Sequence, residues 1–400
     1  MAKIKFALRR NLIYLMQYII WSFLRVILTM LIKHIFEFGE SLIYSPLIFI
    51  GETVGGLIIY LYQRKFKKKK GKEKEERSMS IELIKNEVDY NDYFIPVDNN
   101  IKILFLIFIT AFLDWVYCLN TYFYLPKFIK LSSSLSTRLS GFTTIFSSFF
   151  YLYTLKFPIY KHHKLSLLII GICLLIMIIL EYYYQKVNIF INYIDMTKAI
   201  ALIIISNLLI SCGDSIEKYL FEFDYMDPFV VLIYEGIFGF ILTLLFFING
   251  RHYIHDIKDF YNKNSSAKFT LFVFLLILYV FLSAGKNIFR VVINKIYSPM
   301  AESLTEYFLN PIYILYYYGA LDDFTHDKIL NIPYFIINLF LSIIISFFGC
   351  VYNEFIILLF CGLQKDTYDQ ISKRSMIINS GLLKSSFEDN NSSSDSNSSK

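Results

Sequence analysis

Nine ionisable residues of this chain stand inside long apolar runs: Arg25, Glu52, Asp114, Arg138, Asp214, Glu235, Lys286, Glu302 and Glu306. Charge at membrane depth is costly and must face protein or water, where it can bind a solute group or relay a proton. A guanidinium there suits an anionic group, and carboxylates suit protons. For Arg25, Asp214 and Lys286 a snorkelling or rim-paired side chain explains the residue equally well.

Arg138 sits in the most polar of these runs, LSSSLSTRLSGFTTIFSSFF. Ser133, Thr137, Ser140, Thr144 and Ser148 recur there every three or four residues, which places their hydroxyls on one helical face. Two readings of that face stand side by side. Small hydroxylated residues let helices approach closely and bond to one another; alternatively they wall a wet path in which Arg138 meets an anionic group. Glu302 and Glu306, one turn apart in SPMAESLTEYFLNP, form a second polar face able to balance Arg138 or carry protons. Pro311 is expected to kink that run, and Tyr313, Tyr316, Tyr317 and Tyr318 beyond it to form an interfacial belt.

An internal echo links two further stretches, YSPLIFIGETVGGLIIYL and MDPFVVLIYEGIFGFILTLL. Pro46, Glu52 and Gly56 in the first correspond to Pro228, Glu235 and Gly239 in the second, and in both the Glu precedes the Gly by four residues. That spacing puts a carboxyl and a close-packing patch on one face, a set suited to helix packing or gating. Pro311 joins that set as a kink.

The elements that position these residues follow from composition. Hydrophobic residues make up 56% of 400 and charged ones only 18%, with mean hydropathy +0.50, which excludes an ordinary soluble domain. An all-α, polytopic membrane fold is expected. Cutting at charge and turn clusters yields ten spans, near 12–33, 41–62, 102–123, 131–153, 165–184, 199–219, 228–249, 269–292, 300–319 and 333–357. The first follows Lys3, Lys5, Arg9 and Arg10 and reads as a retained signal anchor. Lys and Arg, including Arg290 among the loop charges, concentrate on the side holding both termini, which makes those termini cytosolic. Residues 1–11 form a cytosolic N-terminus, 12–184 a first five-helix repeat with a flexible cytosolic insertion at 64–98, 199–357 a second repeat, and 365–400 a disordered cytosolic tail. Five helices per half make the halves insert oppositely, as inverted repeats require. Asn264 stands in a sequon on the non-cytosolic side, whereas Asn391 and Asn397 stand in sequons on the cytosolic side.

LDWVYCLNTYFYLP entering SSSLSTRLSG, the YEGIFGF segment with Glu235 and Gly236, and VYNEFIILLFCGLQKDT around Asn353, Glu354 and Gly362 resemble the drug/metabolite transporter superfamily, in its nucleotide-sugar-transporter-like branch with the solute-carrier 35 F-like proteins. The resemblance spans about residues 10–365 and implies a ten-helix inverted-repeat carrier working by alternating access. It implies a central cavity lined by the first, third, fourth, sixth, eighth and ninth helices, and so points to Arg138, Asp114, Glu302 and Glu306. Thr137, Ser140, Thr144, Lys286 and Asp214 lie on the same helices.

The expected function is therefore secondary-active or exchange transport of a small organic solute (a nucleotide sugar, an amino acid or peptide, or a similar metabolite) with proton coupling. A membrane scaffold or receptor docking partners through residues 64–98 is the alternative. No HExxH, GxSxG or glycine-rich phosphate loop points to an enzyme, and no cofactor or metal is expected, His162 and His163 reading as loop residues. Membrane lipid is an expected partner, nucleic acid is not, and a homodimer is among the expected assemblies. Plasma membrane, Golgi and lysosome or vacuole are the expected locations.

Overall fold

The computed structural model describes residues 4–6, 12–36, 43–78, 100–128, 132–156, 159–188, 193–249, 265–297 and 328–359, with single positions within 300–307 and 362–370. Eight helices among them are long and apolar enough to cross a membrane, and the protein is an integral, multi-pass, all-α membrane protein. Their surfaces are arranged for lipid. Phe105, Ile179, Phe274 and Phe340 are each at least 60% exposed, while Glu52, Asp214, Glu217, Glu235 and Arg290 are buried. Without water outside, charge can only be satisfied inside.

In chain order, α1 is Leu12–Phe36, α2 Tyr44–Ser78 and α3 Asn100–Leu119. A π-helical turn, Asn120–Tyr124, joins α3 to the short α4, Leu125–Phe128; Pro126 lacks the N–H that a regular α ladder needs there. Next come α5, Ser132–Arg138, and α6, Gly141–Leu155, then α7, Lys161–Asn188, and α8, Tyr193–Glu222. The series ends with α9, Pro228–Asn249, α10, Ser266–Ile296, and α11, Lys328–Tyr352. Pro228 opens α9 where a missing N–H costs nothing, and Asp227 Oδ1 accepts from Phe229 N at 2.9 Å.

Two features differ from the expected spans. The span expected at 131–153 is divided at Leu139–Ser140, where Ser140 N, Phe142 N and Thr143 N each reach back only three residues, a 3₁₀ tightening that bends the rod. Second, α2 continues as helix to Ser78, past the span end expected near residue 62 and into the insertion expected at 64–98. Its Lys, Glu and Arg content favours helix once the chain leaves the apolar region. Residues 79–99 and the tail expected at 365–400, apart from Thr367 and Gln370, lie outside the described residues, as do Asn264, Asn391 and Asn397.

Cross-helix pairs give the direction of each helix. Gly51 and Gly55 of α2 pack on Val280 and Ala284, so α2 and α10 are parallel. Gly56 meets Phe229 and Gly239 meets the Phe49 ring, so α2 and α9 are antiparallel. Phe36 against Phe272 and Trp21 against Gly285 make α1 antiparallel to α10. The pairs Phe108–Phe238 and Trp115–Phe246 set α3 parallel to α9, and Lys102–Tyr219 with Asp114–Gly213 set it antiparallel to α8. The α8 side chains of Asn207 and Ser211 donate to the carbonyls of Leu139 and Thr143, which aligns α8 with the broken helix. Finally, α11 runs with α6 and against α7, through Arg138–Tyr334, Ser148–Tyr352, Glu181–Tyr334 and His163–Tyr352. A two-stranded antiparallel sheet, Ile4–Phe6 with Ile356–Leu358, then ties the segment before α1 to the segment after α11 at one end of the bundle.

Candidate functional site

Arg290 of α10 is the centre of the largest buried charge cluster. Its guanidinium lies 3.2 Å from Asp214 Oδ1, 2.6 Å from Glu217 Oε1 and 3.3 Å from Glu235 Oε2. Thr110 Oγ1 of α3 donates to Glu235 Oε1 at 2.7 Å. Asn294, one turn beyond Arg290, donates to Glu217 Oε2 at 2.9 Å and to the Asp214 carbonyl at 3.0 Å. Asn287, on the other side, donates to Glu52 Oε1 at 2.9 Å, while Glu52 Oε2 is buried with no hydrogen-bond partner among the described residues. Asp114, Glu217 and Glu235 each bring a carboxylate oxygen within 4.8 Å of the others.

Five carboxylates (Glu52, Asp114, Asp214, Glu217 and Glu235) thus gather from α2, α3, α8 and α9. Arg290 is inside the cluster, and Arg25 and Lys286 are within electrostatic reach of it. Among the described residues, five negative groups against three positive ones leave an excess that protons or a bound cation would neutralise in so dry a setting.

A second cluster joins the broken helix to α7 and α11. Arg138, the last residue of α5, pairs with Glu181 of α7 at 2.8 Å, and the Tyr334 hydroxyl of α11 touches both. Glu181 and Tyr334 thus both contact its guanidinium. Below it the hydroxyl face is spent largely on helix contacts: Thr143 donates to Asn207 Oδ1 at 2.7 Å, Ser148 to the Tyr352 hydroxyl at 3.0 Å, and Thr144 bonds to Ser303 and Tyr307. Thr137 is buried, and Ser140 Oγ donates back to the Thr137 carbonyl at 2.8 Å.

The expected residues are thus distributed. Asp114, Asp214, Glu52 and Glu235 converge with Arg290, and Lys286 lies beside them over the Tyr18 ring. Arg138, Thr137, Ser140 and Thr144 belong to the other cluster. Gly56 and Gly239 form the α2–α9 crossing, where Gly236 also lies 2.7 Å from the Phe49 carbonyl when given a Cβ. Glu302, Glu306 and Pro311 lie outside the described residues.

Arg290 and Glu217 escaped the sequence reading, although a signal was present. Ser283, Asn287, Arg290 and Asn294 recur at four, three and four residues, as do Asn207, Ser211, Asp214 and Lys218, so each apolar helix carries one polar stripe. Near a span end, a lone Arg was counted with the loops instead; it is 5% exposed. Glu181 and Tyr334 gave no such signal. His162 and His163, expected in a loop, occupy the first turn of α7, with His162 buried.

No protein-family model matches the chain, and no curated protein matches it in sequence.

Proposed function

We propose that this protein is a proton-coupled, secondary-active or exchange carrier of a small organic solute, built as two inverted five-helix repeats and working by alternating access. The observation that carries the reading is Arg290 held among carboxylates from α8 and α9, with more from α2 and α3 close by and an excess of negative charge. Such a cluster at the junction of helices from both halves of the chain is where transporters place substrate and coupling ions.

Helix directions support the ten-crossing reading. Direction alternates along the chain only if the broken α5–α6 rod counts as one crossing and the stretch between α10 and α11 as another. Ser346 of α11 and Asn353 just after it donate to the carbonyls of Tyr307 and Met300, so the described positions from Met300 to Tyr307 run against α11. Contacts also repeat when each helix is shifted five crossings on. The α2–α10 contact maps onto α9–α3, α1–α10 onto α8–α3, and α2–α9 and α7–α11 onto themselves. This supports membership of the drug/metabolite transporter superfamily that the sequence resembles. Among the solutes implied by that resemblance, amine-bearing amino acids and peptides suit the negative excess better than nucleotide sugars do.

Reconstitution in liposomes with an imposed proton gradient tests the proposal. Saturable, gradient-driven uptake of an amino acid or short peptide is expected, lowered about tenfold in Glu235→Gln. Absence of saturable uptake for every solute, with or without the imposed proton gradient, would reject a carrier. The helical continuation of α2 to Ser78 favours one other reading, a scaffold docking partners on that rod; it expects a stable partner recovered through residues 64–78 and an inert core.

A further inference from the structure

We infer that His162, His163 and Glu354 form a binding site for a divalent transition-metal ion of the zinc class, tying the start of α7 to the turn that follows α11. One ligand atom from each of the three lies within 4.8 Å of the others. His162 Nε2 stands 3.4 Å from Glu354 Oε1. Two ligands of a tetrahedral zinc ion, each bound at about 2.0–2.1 Å, are separated by about 3.4 Å.

The independent observation is the state of His162. The residue is only 3% exposed, yet among the described residues neither of its ring nitrogens makes a hydrogen bond. A neutral imidazole carries one donor and one acceptor, and burying both without partners is unfavourable unless something else engages them. The ring lies against the other two ligands: its centroid is 4.0 Å from that of His163, and its Nε2 is 3.4 Å from Glu354 Oε1.

The surroundings hold the ligands in place. Ser166 Oγ donates to the His162 carbonyl at 2.9 Å, and the Tyr352 ring packs 4.6 Å from that of His163; Tyr160 N, which donates to His163 Nδ1 at 3.3 Å, must give up that bond when His163 ligates, because a neutral imidazole has a single lone pair. Lys161 and Lys164, the neighbouring cations, are exposed and turned to the surface. Two imidazoles and one carboxylate suit zinc-class ions and leave a fourth position for water. Glu354 stands two residues before the strand Ile356–Leu358, so the ion would brace the end of the bundle that carries the sheet.

Protein purified through a tag without histidine and stripped of metal is titrated with Zn²⁺ by calorimetry and with Co²⁺ by visible absorption. One ion per chain is expected, with cobalt d–d bands and no thiolate charge-transfer band, and with affinity at least tenfold weaker in each of His162→Gln, His163→Gln and Glu354→Gln. His163 is half-buried, so its variant keeps the test open if the buried His162→Gln does not fold. Absence of saturable binding, a thiolate band, or unchanged stoichiometry in the His162→Gln/His163→Gln double variant would overturn the site.

Discussion

Among the described residues two arginines are buried in the apolar body, and they are neutralised differently. Arg138 meets one carboxylate, Glu181, and one phenol, Tyr334, at the junction of three helices. Arg290 meets three carboxylates, with Glu52 and Asp114 close by. The contact of Arg138 with Glu181 and Tyr334 joins α5, α7 and α11. In the carrier proposed above, the carboxylates around Arg290 are the groups that would hold protons or cations. The same residue type thus joins three helices in one region and gathers carboxylates from two helices in the other.

The largest effect that would break this comparison is expected from Arg290→Leu. Removing the cation leaves Asp214, Glu217 and Glu235 buried without it, and unfolding stability in detergent should fall by about 3–5 kcal/mol. Loss of less than 1 kcal/mol would mean that the carboxylates are already neutral without the arginine.

Arg138→Ala should cost about 3 kcal/mol by orphaning Glu181, whereas Arg138→Met with Glu181→Leu should recover most of it, because apolar pairs replace buried ion pairs well. The double variant should also keep uptake. A stable but inactive double variant would move Arg138 into the solute path and erase the distinction drawn here.

Gly236→Ala probes the crossing that holds the Arg290 cluster together. Its methyl group would press on Thr53 and the Phe49 carbonyl, lowering stability by about 1–3 kcal/mol. Thermal denaturation reads the change. Glu235→Gln keeps the shape and the Thr110 contact but removes one charge, and should lower gradient-driven uptake about tenfold, near 1.4 kcal/mol, with little effect on stability. Thr144→Val, deep in the Arg138 region, loses hydrogen bonds to Ser303 and Tyr307 and should cost only about 1 kcal/mol in stability.

What could be read without the fold was whatever depends on local pattern. Apolar runs near the length of a bilayer located the eight long helices within a few residues, and α9 to the residue. The Glu52/Gly56 and Glu235/Gly239 echo marked two close-packing positions, and the structure brings them to one α2–α9 crossing that no spacing specifies. Asp114, Asp214 and Glu235 stood out as charges in apolar surroundings, which is a property of the sequence alone.

Which charges meet is a different matter. Arg290 looked like a loop charge because hydropathy averages over a window, and one arginine near a span end barely changes the average. Its three partners lie 55 to 76 residues away in sequence, and no local pattern encodes that distance. The pairing of Arg138 with Glu181, and the burial of His162 against Glu354, depend likewise on helices α5, α7 and α11 coming together. Composition and periodicity determined that this chain lives in a membrane and which residues had to be hidden from lipid. Only the packing of the helices decided which arginine joins three helices and which gathers several carboxylates, because electrostatic balance at a point depends on every helix that reaches it.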